Sequence, residues 1–445
     1  MPDHAISTDA AVQAQLDRLW SLSPGADVLG LGRITALLDR VGNPHLRLPP
    51  VFHVAGTNGK GSTCAFLRAM LEADDKRVHV YSSPHLVRFN ERIRIAGHLI
   101  EDGVLAPLLA EVLDAGGDIG ASFFEVTTAA AFLAFTRTPA DACVIEVGLG
   151  GRLDATNVVD PVVCGIAGLG IYHEAFLLAE EAGVPSEAMA RIGFEKAGIA
   201  KPNVPLVTQS YPAPAADAVK DVARTRGAPL FMRGAAWDAA KGAALTYRDA
   251  AGTLDLPSPA LAGAHQADNA ALAVAMLRHQ HAITITPDAI ASGIRTAFWP
   301  ARMQLLSDGP LTRLLGSAPA GGVWLDGAHN ESAAAAIASD WPHDVPTALV
   351  VGILANKHAA DVLRHLIGMA SDVRVIAVPV PGHACHPPEA LAAEARVLGS
   401  TASGTAETVD QAFAALRGAG AGRVLVAGSL YLAGQVLAAN DELPT

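Results

Sequence analysis

Short runs of β-branched residues alternate with Ala- and Leu-rich stretches along most of this chain, and this alternation limits the folds open to it. Helical patterns occur at 61–73, 102–114 and 126–137, and they separate strand-like runs that read PVFHVAG, RVHVYSS, ACVIEVG and PVVCGIAG. Alternating strands and helices are typical of crossover units on a mostly parallel sheet. The sequence therefore predicts an α/β fold.

The alternation is interrupted once and then restarts, which predicts two domains. Between about 228 and 258 the sequence LTYRDAAGTLDLPSP indicates a small hairpin appendage. After Phe298-Trp299-Pro300, strands at GVWLD, TALVVGI, VRVIAVPV and RVLVAGS alternate with helices at 331–340, 358–369, 387–398 and 409–417. A chain of 445 residues also exceeds what one core usually supports. We expect one domain over 1–297 and a second, Rossmann-like α/β domain over 298–445.

The charge balance argues against several kinds of partner. The chain has 44 Asp and Glu against 32 Lys and Arg, a formal net charge of −12. Nucleic acids and anionic membranes select a basic surface, which this composition does not supply. The N-terminal stretch has early acidic residues, and no run approaches the roughly 18 apolar residues of a membrane span. We expect a cytoplasmic monomer that binds neither nucleic acid nor membranes.

The sequence AGTNGKGST at 55–63 follows a strand-like run and opens a predicted helix. Free N–H groups at a helix start favour an anion, and glycines let the backbone wrap a phosphate. Lys60 adds an ammonium group, and Ser62 or Thr63 adds a hydroxyl for phosphate or Mg²⁺, as in a P-loop. The strict P-loop spacing is not met, because Val54 stands where the first glycine belongs. A Gly-rich turn is the alternative, and Lys60 favours nucleotide binding over it.

Two further residues suit phosphate chemistry by their type and place. Glu146 lies at the C-terminal end of the run ACVIEVG, and the carboxyl ends of parallel strands are where ligands bind. Its carboxylate offers a hard oxygen to Mg²⁺, although it could instead pair with Arg152. Arg302 has a planar guanidinium that can bridge phosphate oxygens in a transition state.

The form G-T-N-G-K-G-S resembles the Mur ligase superfamily and, more narrowly, the folylpolyglutamate synthase and dihydrofolate synthase family. Further motifs match that family in its order along nearly the whole chain. They are LGLGRITALL at 29–38, YSSPHLVRFNERIRI at 81–95, FFEVTTAAAF at 123–132, EVGLGGRLDATNVV at 146–159, EKAGI at 195–199, HQADNA at 265–270, WPARM at 299–303, LDGAHN at 325–330, GILANK at 352–357 and GSLYLAG at 428–434.

The resemblance implies an ATP- and Mg²⁺-dependent amide ligase. Its N-terminal domain would be a Mur-ligase-like P-loop domain that binds ATP and a pterin acid, and its C-terminal domain would serve glutamate ligation. The reaction would join L-glutamate to dihydropteroate and to reduced folates through an acyl phosphate, which requires ATP, metal, acid and amine in one site. The form GGRLDATN is similar to the bacterial bifunctional enzymes.

The resemblance also implies roles for individual residues. The catalytic residues would be Lys60, Lys196 and Arg302. ATP would contact Gly56, Thr57, Asn58, Gly59, Lys60, Gly61, Ser62, Asn269, Arg302 and Asp326, the last through a ribose hydroxyl. The metal ligands would be Ser83, Glu146, His173 and Lys196, the lysine after carbamylation. The pterin acid would contact Ser122, Phe124, Glu125, Leu153, Asp154 and Ala155, and the incoming glutamate His329 and Ser429.

Taken one at a time, several of these residues have structural alternatives. Such alternatives are a turn before Pro84 for Ser83, a surface or capping role for His173, a solvated helix position for Lys196, core packing for Phe124, a cap into Thr156-Asn157 for Asp154 and a tight turn for Asp326-Gly327. The chain also departs from the family pattern in Tyr172-His173, in the insertion EAFLLAEEAGVPSEAM and in WPAR for WPGR.

Other functions fit the sequence less well. A Mur-type peptidoglycan ligase would have a UDP-binding domain before the P-loop, and an ATP-dependent switch would have no use for the second α/β domain. The segment 382–386 reads GHACH and holds three potential zinc ligands. No second ligand pair has the spacing of a zinc site, so we predict a loop there.

Overall fold

The computed structural model describes residues 6–22, 29–170, 181–242 and 244–445. The chain divides into two compact units. Unit 1 comprises Met1–Ala260 with Gln266–Phe298, and unit 2 comprises Leu261–His265 with Trp299–Thr445. Each unit is built on its own mostly parallel sheet flanked by helices, which confirms the predicted α/β fold.

Unit 1 is organised by an eight-stranded sheet in the order β4-β3-β2-β5-β1-β6-β7-β8. The pairs from β2 to β8 are parallel, and only β3 and β4 run antiparallel to their neighbours. The strands are β1 Val51–Ala55, β2 Val78–Tyr81, β3 Ile93–Ile95, β4 His98–Leu99, β5 Ala142–Glu146, β6 Pro161–Ile166, β7 Leu206–Thr208 and β8 Leu230–Met232. Every residue of β1 and β5 is buried, as expected at the centre of a parallel sheet.

Helices cover both faces of this sheet. The helices of unit 1 are Ala10–Leu22, Gly32–Arg40, Lys60–Glu72, Asp102–Gly116, Phe123–Arg137, Ala188–Ala197, Ala213–Arg226, His265–Arg278 (whose first residue belongs to unit 2) and Pro287–Thr296. One apolar core packs the helices Ala10–Leu22, Gly32–Arg40, Asp102–Gly116 and Phe123–Arg137 against β1, β2 and β5. A second core packs the chain from 197 to 230 against β6 and β7. The sheet thus places the loops after β1, β2 and β5 at one edge.

The predicted hairpin is confirmed and is part of a three-stranded antiparallel sheet. Its strands are β9 Trp237–Lys241, β10 Leu245–Asp249 and β11 Gly252–Leu256. Arg278 binds Asp249 through Nε and Nη2, each at 2.6 Å, and so attaches this sheet to the helix His265–Arg278.

Unit 2 contains a six-stranded sheet in the order β12-β13-β17-β14-β15-β16. Its strands are β12 Gln304–Leu305, β13 Val323–Leu325, β14 Thr347–Val351, β15 Val373–Ala377, β16 Ala402–Thr405 and β17 Arg423–Ala427. All pairs are parallel except β12 with β13. The four strands predicted from sequence are confirmed. The sequence analysis missed β16, an edge strand whose residues Ala-Ser-Gly-Thr lack the apolar run that marks a buried strand.

The helices of unit 2 lie close to their predicted ranges. The four that were predicted are Glu331–Asp340, Ala359–Gly368, Pro388–Val397 and Val409–Ala415. A further helix, Leu430–Ala439, was not predicted. None of the helices in the described part of the chain has both the length and the apolar character that a membrane crossing requires.

Candidate active site

The loop between β1 and the helix Lys60–Glu72 has the backbone of a phosphate-binding turn. Gly59 precedes the helix with φ +86°, a left-handed conformation that L side chains rarely adopt. A β-carbon at Gly59 would also overlap the carboxamide of Asn269. Glycine is therefore required here both by the backbone and by the close approach of Asn269.

The loop is preformed, and Lys60 lies over it. The N–H groups of Thr57 and Asn58 donate to Gly168 O at 2.8 and 3.1 Å, which fixes the loop to the chain after β6. Lys60 Nζ donates to Gly56 O at 3.1 Å and lies 3.5 Å from Thr57 O. A bound phosphate would compete with these neutral acceptors for a charged donor, and charged partners make the stronger bond.

In the first turn of the helix Lys60–Glu72, the two candidate hydroxyls have different surroundings. Thr63 Oγ1 donates to Gly59 O at 2.9 Å and serves the helix start. Ser62 is buried beside Gly61 at the same turn. The structure therefore favours Ser62 over Thr63 as the hydroxyl available to phosphate or metal.

Asn269 is brought to the loop by the helix His265–Arg278. Its Nδ2 donates to Gln266 Oε1 at 3.0 Å, and its Oδ1 faces Gly59. Both side chains are buried. The sequence analysis missed Gln266, which holds the carboxamide of Asn269 one helical turn away.

Glu146 and Ser83 meet at the carboxyl edge of the sheet because β2 and β5 are neighbours. Glu146 ends β5 and is 5% exposed, and the N–H of Ser83 donates to its Oε2 at 3.4 Å. Arg152 binds Glu195 and Glu181 instead, so the alternative pairing of Glu146 with Arg152 is wrong. A buried carboxylate next to a serine fits a hard cation such as Mg²⁺.

The remaining metal ligand predicted from sequence cannot be placed. His173 falls in 171–180, outside the described residues, and so does the first part of the insertion that follows it, 174–180. Within the residues that the structure describes, no cluster of three or more His, Cys, Asp or Glu side chains suits a metal ion. Further ligands to a metal held at Glu146 and Ser83 would be water, a modified lysine or the predicted His173.

Lys196 lies near the end of the helix Ala188–Ala197 and is 5% exposed, so its alternative as a solvated helix residue is wrong. Burial, and to a smaller extent the nearby Lys60 ammonium, lower the pKa of Lys196 to about 7, against the opposing charges of Asp154 and Glu195. Two lysines within electrostatic reach repel each other unless an anion lies between them. This arrangement suits a site that receives phosphate.

Asp154 caps the short 3₁₀ helix Ala155–Val158, which is the structural alternative that its sequence position allowed. It is 1% exposed. Its Oδ1 accepts from Thr156 N and Thr156 Oγ1 at 3.0 and 2.5 Å, and its Oδ2 accepts from Leu149 N at 2.8 Å. Burial raises the pKa of Asp154, and these donors oppose the increase. Contact of Asp154 with a pterin ring stays a prediction.

The segment that begins at Ser122 contains a helix cap and one partly exposed aromatic side chain. Ser122 and Glu125 form a reciprocal capping box at the start of the helix Phe123–Arg137, and Arg33 Nε donates to Glu125 Oε2 at 2.9 Å. The spacing S-x-x-E before an apolar run is the signature of such a cap, and it was available in the sequence. Phe124 is only half-buried, and its ring lies against Gly148 so closely that a β-carbon there would overlap it.

The two other residues predicted around the pterin acid flank Asp154. Leu153 is half-buried, and Ala155 is buried in the first position of the 3₁₀ helix. The loop 148–154 contacts Phe124 at its first residue, Gly148, and ends at Asp154. It therefore links these two predicted contacts of the pterin acid.

In unit 2, Arg302 stands between two residues with left-handed backbone, Ala301 at φ +54° and Met303 at φ +43°. Asp326 holds this loop, because its Oδ2 accepts from Met303 N at 2.8 Å and its Oδ1 accepts from Ala328 N at 2.8 Å. Burial raises the pKa of Asp326, and the positive charge of Arg302 opposes that effect. Strained backbone of this kind is often found at functional sites, and here it flanks the side chain predicted to bind phosphate.

His329 and Ser429 belong to neighbouring loops of the unit 2 sheet. His329 Nδ1 lies 2.8 Å from Gly327 O. Ser429 follows β17 and caps the helix Leu430–Ala439, with its Oγ accepting from Tyr431 N at 3.1 Å. Gly428 N donates to Ala328 O at 2.8 Å, which ties the two loops together.

The segment 382–386 is a loop between β15 and the helix Pro388–Val397. Its three potential ligands have different partners: His383 stacks on Tyr431 at 3.7 Å, Cys385 Sγ accepts from Val380 N at 3.4 Å, and His386 Nε2 lies 2.9 Å from Lys357 O. These contacts connect the loop to the motifs GILANK and GSLYLAG.

Comparison with known proteins supports the motifs. Residues 317–439 match a family model described as dihydrofolate synthetase, C-terminal domain. The dihydrofolate synthase/folylpolyglutamate synthase of Escherichia coli is 36% identical over 351 residues, which cover 77% of this chain and 76% of that protein. The protein of the same name in Bacillus subtilis is 34% identical over 320 residues, 68% of this chain and 69% of that protein.

Solved structures extend the likeness to almost the whole chain. One of E. coli FolC in complex with DHPP and ADP is 33% identical, covers 97% of both chains and has a TM-score of 0.85. One of a bifunctional folylpolyglutamate synthase/dihydrofolate synthase with Mn, AMPPNP and L-glutamate bound is 30% identical, covers 97% of this chain and 99% of that one, and has a TM-score of 0.80.

Proposed function

The chain belongs to the folylpolyglutamate synthase and dihydrofolate synthase family, and we propose that the residues described above divide its reaction between the two α/β units. It is an ATP-dependent ligase that adds L-glutamate to 7,8-dihydropteroate and to reduced folates. ATP and a divalent metal ion are its cofactors. The observation that carries this conclusion is the likeness to E. coli FolC over 97% of the chain. We assign ATP and pterin binding to 1–297 and glutamate ligation to 298–445.

The nucleotide is held by the loop 56–62 in this proposal. Backbone N–H groups and the start of the helix Lys60–Glu72 receive the phosphates. Lys60 moves from the carbonyl of Gly56 to phosphate oxygens, where it stabilises negative charge that grows during transfer. Asn269, held by Gln266, contacts the nucleotide beside Gly59. On unit 2, we propose Arg302 as a transition-state clamp for phosphate and Asp326 as an acceptor for a ribose hydroxyl.

The acid is activated beside Glu146. Glu146 and Ser83, with His173, would hold Mg²⁺, which supplies positive charge to phosphate oxygens when bound. The low pKa of Lys196 leaves a large fraction of its amine neutral at physiological pH, the form that carbamylation requires. The pterin acid lies along Phe124 and the loop 148–155, near Ser122 and Glu125, and its carboxylate attacks the γ-phosphorus to give an acyl phosphate and ADP.

The amine of L-glutamate then attacks the acyl carbon, and inorganic phosphate leaves. His329 and Ser429 are the residues of unit 2 that we propose for binding glutamate. His329 offers a ring nitrogen to a carboxylate, and Ser429 lies at a helix N-terminus, where anions are stabilised. A monomeric state and a cytoplasmic location stay predictions from the sequence.

The test is a product assay with the purified full chain. ATP, Mg²⁺ and L-glutamate are supplied with dihydropteroate or with tetrahydrofolate, and products are identified by mass. We expect each acid to gain one glutamyl residue per phosphate released, and no phosphate release when acid or glutamate is omitted. Phosphate release that is independent of both would indicate an ATPase and contradict the proposal.

A further inference from the structure

A buried chain of three side chains joins the strand before the nucleotide loop to the turn that carries Asp154. His53 lies on β1, and its Nε2 is 2.9 Å from Thr156 Oγ1. Thr156 Oγ1 donates in turn to Asp154 Oδ1 at 2.5 Å. His53 and Thr156 have no exposed surface, so bulk water does not replace either hydrogen bond.

The number of protons fixes the direction of these bonds. The one hydroxyl proton of Thr156 goes to Asp154, so its oxygen accepts a hydrogen bond from His53 Nε2–H. Burial lowers the pKa of His53 to about 3, and the ring is neutral at physiological pH. Its Nδ1 is then an acceptor, and no described residue donates to it. A buried histidine with one unsatisfied nitrogen is unfavourable if it serves packing alone. We therefore attribute its presence to the hydrogen bond that it donates to Thr156.

The carboxylate at the end of this chain fixes the backbone next to Phe124. Asp154 Oδ2 accepts from Leu149 N at 2.8 Å, and the nearby Gly148 N–H helps to lower the pKa of the carboxylate. Gly148 in turn lies directly against the ring of Phe124. A rotation of the Asp154 side chain would therefore release the backbone at 148–149 from that ring.

We propose that His53 is a positioning residue for the pterin acid, which acts through Thr156 to fix the Asp154 carboxylate and the loop against Phe124. The inference rests on the proposed function, because it takes Asp154 and Phe124 as contacts of that acid. His53 is fully buried and does not itself contact the reacting atoms. Its effect should therefore appear in the KM for dihydropteroate rather than in kcat.

Position 53 allows a matched pair of variants. His53→Leu removes the donor, whereas His53→Gln retains an N–H at a similar distance from the backbone. The control is His79→Leu: His79 is also fully buried, lies on β2 of the same sheet and binds the carbonyl of Thr138 on a different part of the chain. We expect His53→Leu to raise the KM for dihydropteroate about tenfold, with kcat and the Kd for ATP within threefold of wild type. His53→Gln should restore the KM, and His79→Leu should leave it unchanged.

A second pair tests the same chain from its other end and covers the case in which His53→Leu does not fold. Thr156→Ser keeps the hydroxyl, and Thr156→Val replaces it with a methyl group of similar size. We expect the KM of Thr156→Ser to match wild type and that of Thr156→Val to match His53→Leu. Neither Thr156 variant should change the Kd for ATP, measured by equilibrium binding.

The outcomes separate this inference from the function it rests on. An unchanged KM in His53→Leu and Thr156→Val, or equal losses in His53→Leu and His53→Gln, overturns the positioning role while the ligase activity of the wild type stands. A loss of kcat and ATP affinity with an unchanged KM also overturns it and indicates a general effect on β1. A wild-type chain that does not ligate glutamate to dihydropteroate overturns the proposed function itself.

Discussion

The loop 56–62 and the turn 148–157 are both assigned to the active site, but they are built in opposite ways. The loop is formed by backbone groups, and the side chain proposed to act in it, Lys60, is half-buried and donates to carbonyls of the loop itself. The turn is formed by side chains, and Asp154 accepts from Leu149 and Thr156 while almost fully buried.

In the loop, a substitution can therefore lower activity without lowering stability, whereas in the turn a substitution affects both. A change to Lys60 removes a charge from a loop whose backbone hydrogen bonds remain. A change to Asp154, or to the neighbouring Lys196, alters a buried polar group, whose loss of a partner destabilises the fold. The following predictions test that separation, from the largest expected effect to the smallest.

Lys60→Ala should give the largest loss of activity with almost no loss of stability. Removal of a preorganised donor to developing phosphate charge lowers kcat by about 10³-fold. The free energy of unfolding should change by less than about 1 kcal/mol, because only bonds to Gly56 and Thr57 carbonyls are lost. Steady-state kinetics and urea unfolding measure the two quantities.

Lys220→Ala is the control for Lys60→Ala, since Lys220 is an exposed lysine paired with Asp217 on a helix. It should leave both quantities unchanged. A stability loss in Lys60→Ala as large as a core substitution would break the comparison.

Lys196→Met should lower kcat by roughly 10²-fold and also change how stability depends on pH. The folded-state pKa of Lys196 is lowered to about 7 from 10.5, so between these values the unfolded chain holds a proton that the folded chain lacks. Stability from this group therefore rises with pH above about 7, by about 2 kcal/mol up to pH 9, and is lost as pH falls. The methionine variant should lack this component.

The measurement is urea unfolding of both proteins from pH 6 to 9 in metal-free, bicarbonate-free buffer. Parallel stability curves for the wild type and Lys196→Met would show that Lys196 is protonated in the fold, contrary to its burial.

Asp154→Asn should lower activity and stability together. The amide nitrogen faces N–H donors where the carboxylate oxygen accepted from them, which costs about 1–3 kcal/mol of folding free energy. We expect the KM for dihydropteroate to rise about tenfold and the Kd for ATP to stay constant. If the variant has wild-type stability and the same increase in KM, activity can be changed without stability in the turn as well as in the loop.

Ala301→Gly should have the smallest effect and extends the comparison to unit 2. Ala301 has φ +54°, and glycine reaches this conformation at lower cost, so the change should stabilise unit 2 by about 0.5–1 kcal/mol. Activity should stay within about twofold, because Asp326 still holds Met303 N. Ala297→Gly, at φ −56°, is the control and should destabilise. Thermal unfolding of both variants shows whether each change stabilises or destabilises the protein.

Much of the fold and the nucleotide loop could be predicted from the sequence. The strand Val51–Ala55 and the helix Lys60–Glu72 lie close to the predicted strand run PVFHVAG and helix 61–73, because burial periodicity and glycine placement are local properties of a few consecutive residues. The capping box of Ser122 and Glu125 was equally local and was overlooked. The edge strand Ala402–Thr405 was not predictable, because its small polar residues carry no strand pattern.

Only the tertiary structure decided what surrounds the buried polar residues. Lys196 follows a glutamate in a helix, a pattern that favours a solvated surface, and its burial depends on residues from distant parts of the chain. Likewise, His53 and Thr156 are 103 residues apart in sequence and 2.9 Å apart in the fold. The sequence by itself determined the α/β order and the phosphate loop, since short-range sterics and periodicity specify them. Which side chains share a buried hydrogen bond was decided by strand order and packing, which bring together residues that no local pattern relates.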